Sequence, residues 1–264
     1  GPSPKAREVV ESRTDRIHVY PDGAAHDLHK ALSEFHDRPK DEIIWGNGSD
    51  QLLRLAVHAF TRQGEDRGIV SEHSFGAYPI ALKSGGVAVD AVGMTGDLEY
   101  DLQGMREAVV DDTRMVFIAN PNNPTGTYLG GEALRAFLDD LPSDVVALVD
   151  EAYYQYARAD DYASALTMRD AHERLIVTRT FSKCYGLAGL RVGYAVTTPE
   201  ITDALNRIRD PFNCNRLGQR AAIAALDDRD FVERSVEVNE RGREQLEEGL
   251  RGLAGRGVDW TPSQ

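Results

Sequence analysis

Lys183 closes the run Thr180-Phe181-Ser182-Lys183, behind an apolar segment and ahead of a glycine-rich stretch ending in Gly189-Leu190-Arg191-Val192-Gly193-Tyr194. A solvated lysine amine has a pKa of about 10.4, so a nucleophilic lysine at neutral pH needs a site that lowers that value or an imine in place of the ammonium. At the end of an apolar strand, beside hydroxyls and an arginine able to hold a phosphate, such an amine can hold an aldehyde cofactor as a Schiff base. The tetrapeptide does not decide this by itself, because most lysines that follow a strand are surface lysines.

Other motifs supply the remaining parts of such a site. Asn120-Pro121-Asn122-Asn123-Pro124-Thr125-Gly126 follows directly on Val116-Phe117-Ile118-Ala119. Its prolines and glycine fix a turn at the carboxyl end of a strand, where open α/β sheets bind ligands and where an asparagine amide can donate to a ring oxygen. Asp150-Glu151-Ala152-Tyr153 ends the next apolar run, Val145 to Val149. A carboxylate there can pair with a protonated pyridine nitrogen, which keeps the ring able to absorb electrons from a substrate carbanion. The tyrosine three positions on can reach the ring's phenolic oxygen. The same pair of acids could instead cap a helix or bind a nucleotide's metal, but no GxxxxGK[ST] loop accompanies it.

Gly46-Asn47-Gly48-Ser49-Asp50-Gln51 precedes a helical apolar pattern, Leu52, Leu53, Leu55, Ala56, Ala59 and Phe60. Free N–H groups and the positive end of the helix dipole make that start a phosphate site, which Ser182 and Arg191 could complete. Phe75, in Ser74-Phe75-Gly76-Ala77-Tyr78, could stack on an aromatic ring or simply fill the core. Gly186-Leu187-Ala188-Gly189 lacks the spacing of a dinucleotide fingerprint.

These residues must be positioned by an α/β scaffold. Apolar runs predict strands at Gly68–Ser71, Val87–Val92, Met115–Ala119, Val145–Val149, Leu175–Arg179 and Val192–Val196. Amphipathic stretches between them predict helices at Gln51–Phe60, Tyr78–Lys83, Leu102–Val109, Gly131–Leu138 and Pro199–Arg207. The alternation implies a mainly parallel sheet. From Leu217 the character changes, and two helices are predicted, Gln219–Leu226 and a long charged one over Phe231–Leu253.

With 264 residues and 41% hydrophobic content the chain can bury a sizeable core. No stretch approaches the roughly 18 apolar residues of a membrane span, and the first residues lack an apolar signal region, so a cytoplasmic location and no membrane partner are expected. The net charge of −13 argues against nucleic acid as a partner. Two cysteines without a CxxC spacing predict reduced thiols, and the seven histidines show no metal-ligand spacing, so no metal is expected.

The helix-start loop, Phe75, Asn122-Asn123-Pro124-Thr125-Gly126, Asp150-Glu151-Ala152-Tyr153 and Thr180-Phe181-Ser182-Lys183 with Arg191 occur in that order on successive strand ends. In this arrangement the chain resembles the fold-type I pyridoxal phosphate-dependent aminotransferases, most closely the histidinol-phosphate aminotransferase family. The likeness runs from Gly1-Pro2-Ser3-Pro4-Lys5-Ala6 through Tyr20-Pro21-Asp22 to Pro262-Ser263-Gln264. It implies an α/β fold: a three-layer α/β/α large domain with a mainly parallel mixed sheet, plus part of a smaller α+β domain. The implied division is an arm at 1–26, a cofactor-binding domain at 27–212, and interdomain helices with the start of a small domain at 213–264.

By the same resemblance, pyridoxal 5'-phosphate is the cofactor, Lys183 bonds its aldehyde and shuttles a proton between substrate Cα and cofactor C4′, and Asp150 pairs with the ring nitrogen. Asn123 and Tyr153 contact the phenolic oxygen, Phe75 covers the ring face, and Ser49, Asp50, Gln51, Thr180, Ser182 and Arg191 lie around the phosphate. Tyr20 matches a tyrosine that reaches the phosphate in the neighbouring subunit, which implies a homodimer. The implied reaction passes the amino group of L-histidinol phosphate to 2-oxoglutarate, a step of histidine biosynthesis. Alternatives are an aromatic amino acid aminotransferase, a threonine-phosphate decarboxylase of the same fold, and a non-catalytic ligand-sensing module. The family pattern also includes an asparagine-containing segment ahead of Gly-Pro-Ser-Pro and a closing small domain with substrate-binding arginines. Neither is in this sequence, so the substrate-sorting side chains are expected to lie partly outside it.

Overall fold

Helices cover both faces of the central strands, which is why those strands are apolar at nearly every residue instead of alternating. The computed structural model describes residues 1–253 and 256–263; Gln264, the last residue of the likeness, lies outside them. In chain order the elements are α1 (Pro4–Glu11), α2 (His26–His36), β1 (Ile43–Gly46), α3 (Ser49–Phe60), β2 (Arg67–Ser71), α4 (Ala77–Ser84), β3 (Ala88–Val92) and α5 (Leu102–Glu107). They continue with β4 (Thr113–Ala119), α6 (Gly131–Asp139), β5 (Val146–Asp150), β6 (Leu175–Thr180), β7 (Gly193–Val196), α7 (Pro199–Ile208), α8 (Arg216–Leu226) and α9 (Arg229–Arg251).

The strands form one sheet in the order β1-β7-β6-β5-β4-β2-β3, and β7 alone runs against the other six. Side chains alternate along each strand. Met115, Phe117 and Ala119 of β4 face α3, α4 and α7 through Leu52, Leu53, Tyr78, Leu82 and Leu205. Val116 and Ile118 face α5 and α6 through Met105, Leu134, Phe137 and Leu138. A third cluster closes the β1–β7 end, where Ile43, Trp45, Tyr194 and Val196 pack on α1, α2 and α8.

All six predicted strands and all seven predicted helices are present, with ends shifted by three residues or fewer. Three elements were not predicted. Strand β1 has four residues, too few to show a period, and is held as a strand by its pairing with β7. Helix α1 carried a legible start signal, because Ser3 accepts from the Ala6 N–H and Pro4 sits in the first turn. Helix α2 starts after Ala25, in left-handed backbone, and its first N–H, at His26, donates to Asp22 Oδ2 at 2.8 Å, so its entry lacks a capping side chain at the usual position. Among the described residues no helix is long and apolar enough to cross a membrane.

The reversed strand sets up one edge of the sheet. Because β7 is antiparallel, its first residue, Gly193, pairs with Thr180 at the end of β6 and with Gly46 at the end of β1. The end of β5 lies on the same edge, since Asp150 pairs with Thr178 and with Ala119 at the end of β4. The loops after β1, β4, β5 and β6 and the loop before β7 therefore converge, as carboxyl ends of parallel strands do in ligand-binding α/β sheets.

Candidate active site

A cavity opens on that edge. It is lined by Ser49, Asp50, Phe75, Asn123, Asp150, Tyr153, Thr180, Ser182, Lys183 and Arg191, ten of the predicted site residues, together with Tyr78 and a few neighbours. Lys183 follows β6 in a bend, and its Nζ lies 5.0 Å from the centre of the Tyr153 ring.

Asp150 forms the acidic wall. It is buried at the last residue of β5, accepting from Thr178 Oγ1 at 2.9 Å and from Tyr78 OH at 3.1 Å. No ion pair to Asp150 occurs among the described residues, whereas the adjacent Glu151 is paired with Arg179, Nη2 to Oε2 at 2.8 Å. Burial first, with the neighbouring Glu151 charge adding to it, pushes the Asp150 carboxyl up to about 6, against the opposing hydrogen bonds from Thr178 and Tyr78. Glu151 instead ties down the loop that follows β5, accepting from Ser164 Oγ at 2.8 Å and from the Ala165 N–H at 2.7 Å.

The opposite requirement, a cup for an anion, is met at the start of α3. Gly48 has φ +76°, and a Cβ there would lie 2.4 Å from Arg191 Nη2, so the arginine packs on the helix start where only glycine fits. A Cβ on Gly193 would lie 2.3 Å from the Ser49 nitrogen, so the same approach excludes side chains from the first residue of β7. Arg191, itself in left-handed backbone at φ +53°, donates from Nη1 to Ser182 Oγ at 3.4 Å and to the Ala188 carbonyl at 3.2 Å. The Ser182 N–H donates to Thr180 Oγ1 at 3.1 Å.

The turn between β4 and α6 is held by its own asparagines. Asn120 exchanges hydrogen bonds with Leu129 across the loop, 3.1 Å and 2.9 Å, and Asn122 donates to the His73 carbonyl at 2.9 Å while accepting from Ser74 Oγ at 2.8 Å. That leaves Asn123 on the cavity, with no hydrogen bond to its side chain among the described residues. Phe75 is half-buried and meets Tyr78 edge to face, centroids 5.6 Å apart.

Two predicted residues are not brought onto this cavity. The Gln51 side chain turns away, accepting from the Asn47 N–H at 2.8 Å and from Asn213 Nδ2 at 2.8 Å. Tyr20 is 76% exposed and packs on Phe212 with the rings tilted and their centroids 4.9 Å apart. Tyr78 and Thr178 were missed. Tyr78 belongs to an apolar helix and Thr178 to an apolar strand, and only the pairing of Thr178 with Asp150 across the parallel strands reveals a shared role. A buried acid lacking a cation, a cationic cup and a lysine on one cavity fit an aromatic cofactor with a basic ring nitrogen, a phosphate and an aldehyde.

A family model described as aminotransferase class I and II matches residues 2–264. A histidinol-phosphate aminotransferase 2 of Methylococcus capsulatus is 49% identical over 272 residues, covering all of this chain and 71% of that protein. Among solved structures, a putative histidinol-phosphate aminotransferase from Erwinia carotovora atroseptica superposes with a TM-score of 0.92 at 28% identity, covering all of this chain and 76% of its own. The histidinol-phosphate aminotransferase of Sinorhizobium meliloti in complex with pyridoxal-5'-phosphate gives 0.91 at 31%, covering 100% and 70%.

The raised Asp150 carboxyl has a measurable consequence in the cofactor-free protein. The folded state holds this proton up to about 6 while the unfolded carboxyl releases it near 3.8, so stability falls as pH rises between those values and stays low above them. Asp150→Asn, which keeps the shape and removes the charge, is expected to raise apoprotein stability by on the order of 1–3 kcal/mol at about pH 8, with the gain shrinking toward about pH 4. The same change is expected to weaken cofactor binding. Urea denaturation of both apoproteins across this range is the check, and a variant less stable than the wild type at the alkaline end would contradict the buried-charge reading.

Proposed function

This chain belongs to the class I and II aminotransferases, in the histidinol-phosphate aminotransferase family, and we propose that its cavity binds pyridoxal phosphate and passes the amino group of L-histidinol phosphate to 2-oxoglutarate. The products are imidazole-acetol phosphate and L-glutamate. The observation that carries this reading is the convergence of Lys183, the cation-free Asp150 and the Arg191–Ser49 cup on one cavity. When bound, pyridoxal phosphate supplies an aldehyde that condenses with amines and a ring that accepts the electron pair left at the substrate Cα.

The chain's own residues do the rest. Lys183 Nζ would hold the aldehyde and, as a free amine, would carry the proton between the substrate Cα and C4′. The Asp150 carboxylate holds the proton on the ring nitrogen, and its burial makes that pairing strong. Asn123 and Tyr153 donate to the phenolic oxygen, and Phe75 covers one ring face. Ser49, Asp50, Thr180, Ser182 and Arg191 hold the phosphate by backbone N–H groups, hydroxyls and the guanidinium. Gln51 serves this cup indirectly, through Asn47 and Asn213.

Within this reading, residues 27–212 form the cofactor-binding unit, 1–26 an arm, and 213–264 the helices that lead toward a smaller domain. The division is functional, since α1 and α8 pack on one core. The active species is a homodimer in which Tyr20 reaches the partner's phosphate; its exposure and its absence from the lining of its own cavity support this.

Loaded with cofactor, the protein is expected to show a visible absorbance band that L-histidinol phosphate bleaches and 2-oxoglutarate restores, with glutamate and no carbon dioxide released. Lys183→Ala is expected to lose the band and to slow turnover by about 10³-fold or more. A wild-type protein that stays colourless with added cofactor would rule the assignment out. For the dimer, the inactive variants Lys183→Ala and Tyr20→Ala are expected to regain activity when unfolded together and refolded as a mixture, because a hybrid has one site with both residues intact. Recovery no better than the two variants refolded apart would exclude the shared site.

A further inference from the structure

The turn between α7 and α8 carries two asparagines whose side chains reach in different directions. Asn213 Nδ2 donates to Gln51 Oε1 at 2.8 Å and to the Trp45 carbonyl at 3.3 Å, while its Oδ1 accepts from Arg209 Nη1 at 2.8 Å. Gln51 Oε1 in turn accepts from the Asn47 N–H, so this contact ends in the loop that starts α3. Asn215 Nδ2 donates to the carbonyl of Leu190 at 2.6 Å, one residue before Arg191, and its Oδ1 caps α8 by accepting from the Gly218 N–H at 2.7 Å. Cys214 between them is fully buried, and its carbonyl accepts from Gln219 Nε2 at 2.9 Å, which anchors the turn to α8.

These two asparagines thus grip the two halves of the anion cup, the helix-start loop and the loop that presents Arg191. We propose that Asn213 and Asn215 act as a clasp that fixes the spacing of those halves, which makes them positioning residues for the phosphate end of the cofactor. The proposal rests on the reading of the cup given above. Neither side chain lines the cavity. Charge-assisted hydrogen bonds weaken steeply with distance and angle, so N–H groups on α3 and a guanidinium on a separate loop bind one anion well only when held in register. The ring end, built on β4, β5 and β6, does not depend on this turn.

The rival role is purely local: Asn215 capping α8 and Asn213 filling a turn. Asn215→Ser separates the two, because serine retains N-capping and is too short to reach the Leu190 carbonyl. Asn213→Ala removes the tie to Gln51. Equilibrium binding of pyridoxal phosphate and of pyridoxal, which lacks the phosphate, is measured on the wild type, both variants and the double variant Gln51→Ala/Asn213→Ala. Each single clasp variant is expected to bind pyridoxal phosphate about five- to tenfold more weakly with pyridoxal binding unchanged. Gln51→Ala is measured as well, and the double variant is expected to lose less than the product of the two single losses, because the two changes share the Asn213–Gln51 contact. Equal weakening of both ligands, or no change in either, overturns the clasp. A wild type that binds both ligands equally overturns the cup itself and the clasp with it, which keeps the two failures distinguishable.

Discussion

A carboxylate held out of water with no cation beside it is costly in its charged form, and this site is built around one. Asp150 and Glu151 are neighbours in sequence and both buried, yet among the described residues only Glu151 is paired with an arginine. The hydrogen bonds from Tyr78 and Thr178 orient Asp150 without neutralising it. The fold thus stores an unmet electrostatic demand at one wall of the cavity, which the protonated ring nitrogen of the proposed cofactor would meet.

The sheet's connectivity makes that demand useful. Parallel strands β4, β5 and β6 deliver Asn123, Asp150 and Lys183 to a common edge, and the reversal of β7 returns Arg191 to it. Two glycines, Gly48 and Gly193, permit the close approach of α3 to that edge. The helix start, the guanidinium and the lysine therefore face one cavity, although the helix start lies more than a hundred residues from the other two in sequence.

Most of the strand framework was legible in the sequence because buried parallel strands leave long apolar runs between turn residues. Strand β1 was not, since four residues held by pairing alone carry no period of their own. In the site, residues sitting in short polar motifs at strand ends could be read directly: Lys183, Asp150, Asn123, Arg191. Tyr78 and Thr178 look like core in the sequence, and only strand register and helix placement give them a role. Gln51 was legible as part of a helix start, but the direction of its side chain depends on Asn213, 162 residues away. Contacts of that kind leave no local pattern.

The most direct test of this account is the protonation state of the cofactor's ring nitrogen in the assembled enzyme, read by nitrogen NMR on protein loaded with ¹⁵N-labelled pyridoxal phosphate. The buried Asp150 charge predicts a ring nitrogen that stays protonated well above neutral pH in the wild type and loses its proton in Asp150→Asn. A neutral ring nitrogen at neutral pH in the wild type would contradict it.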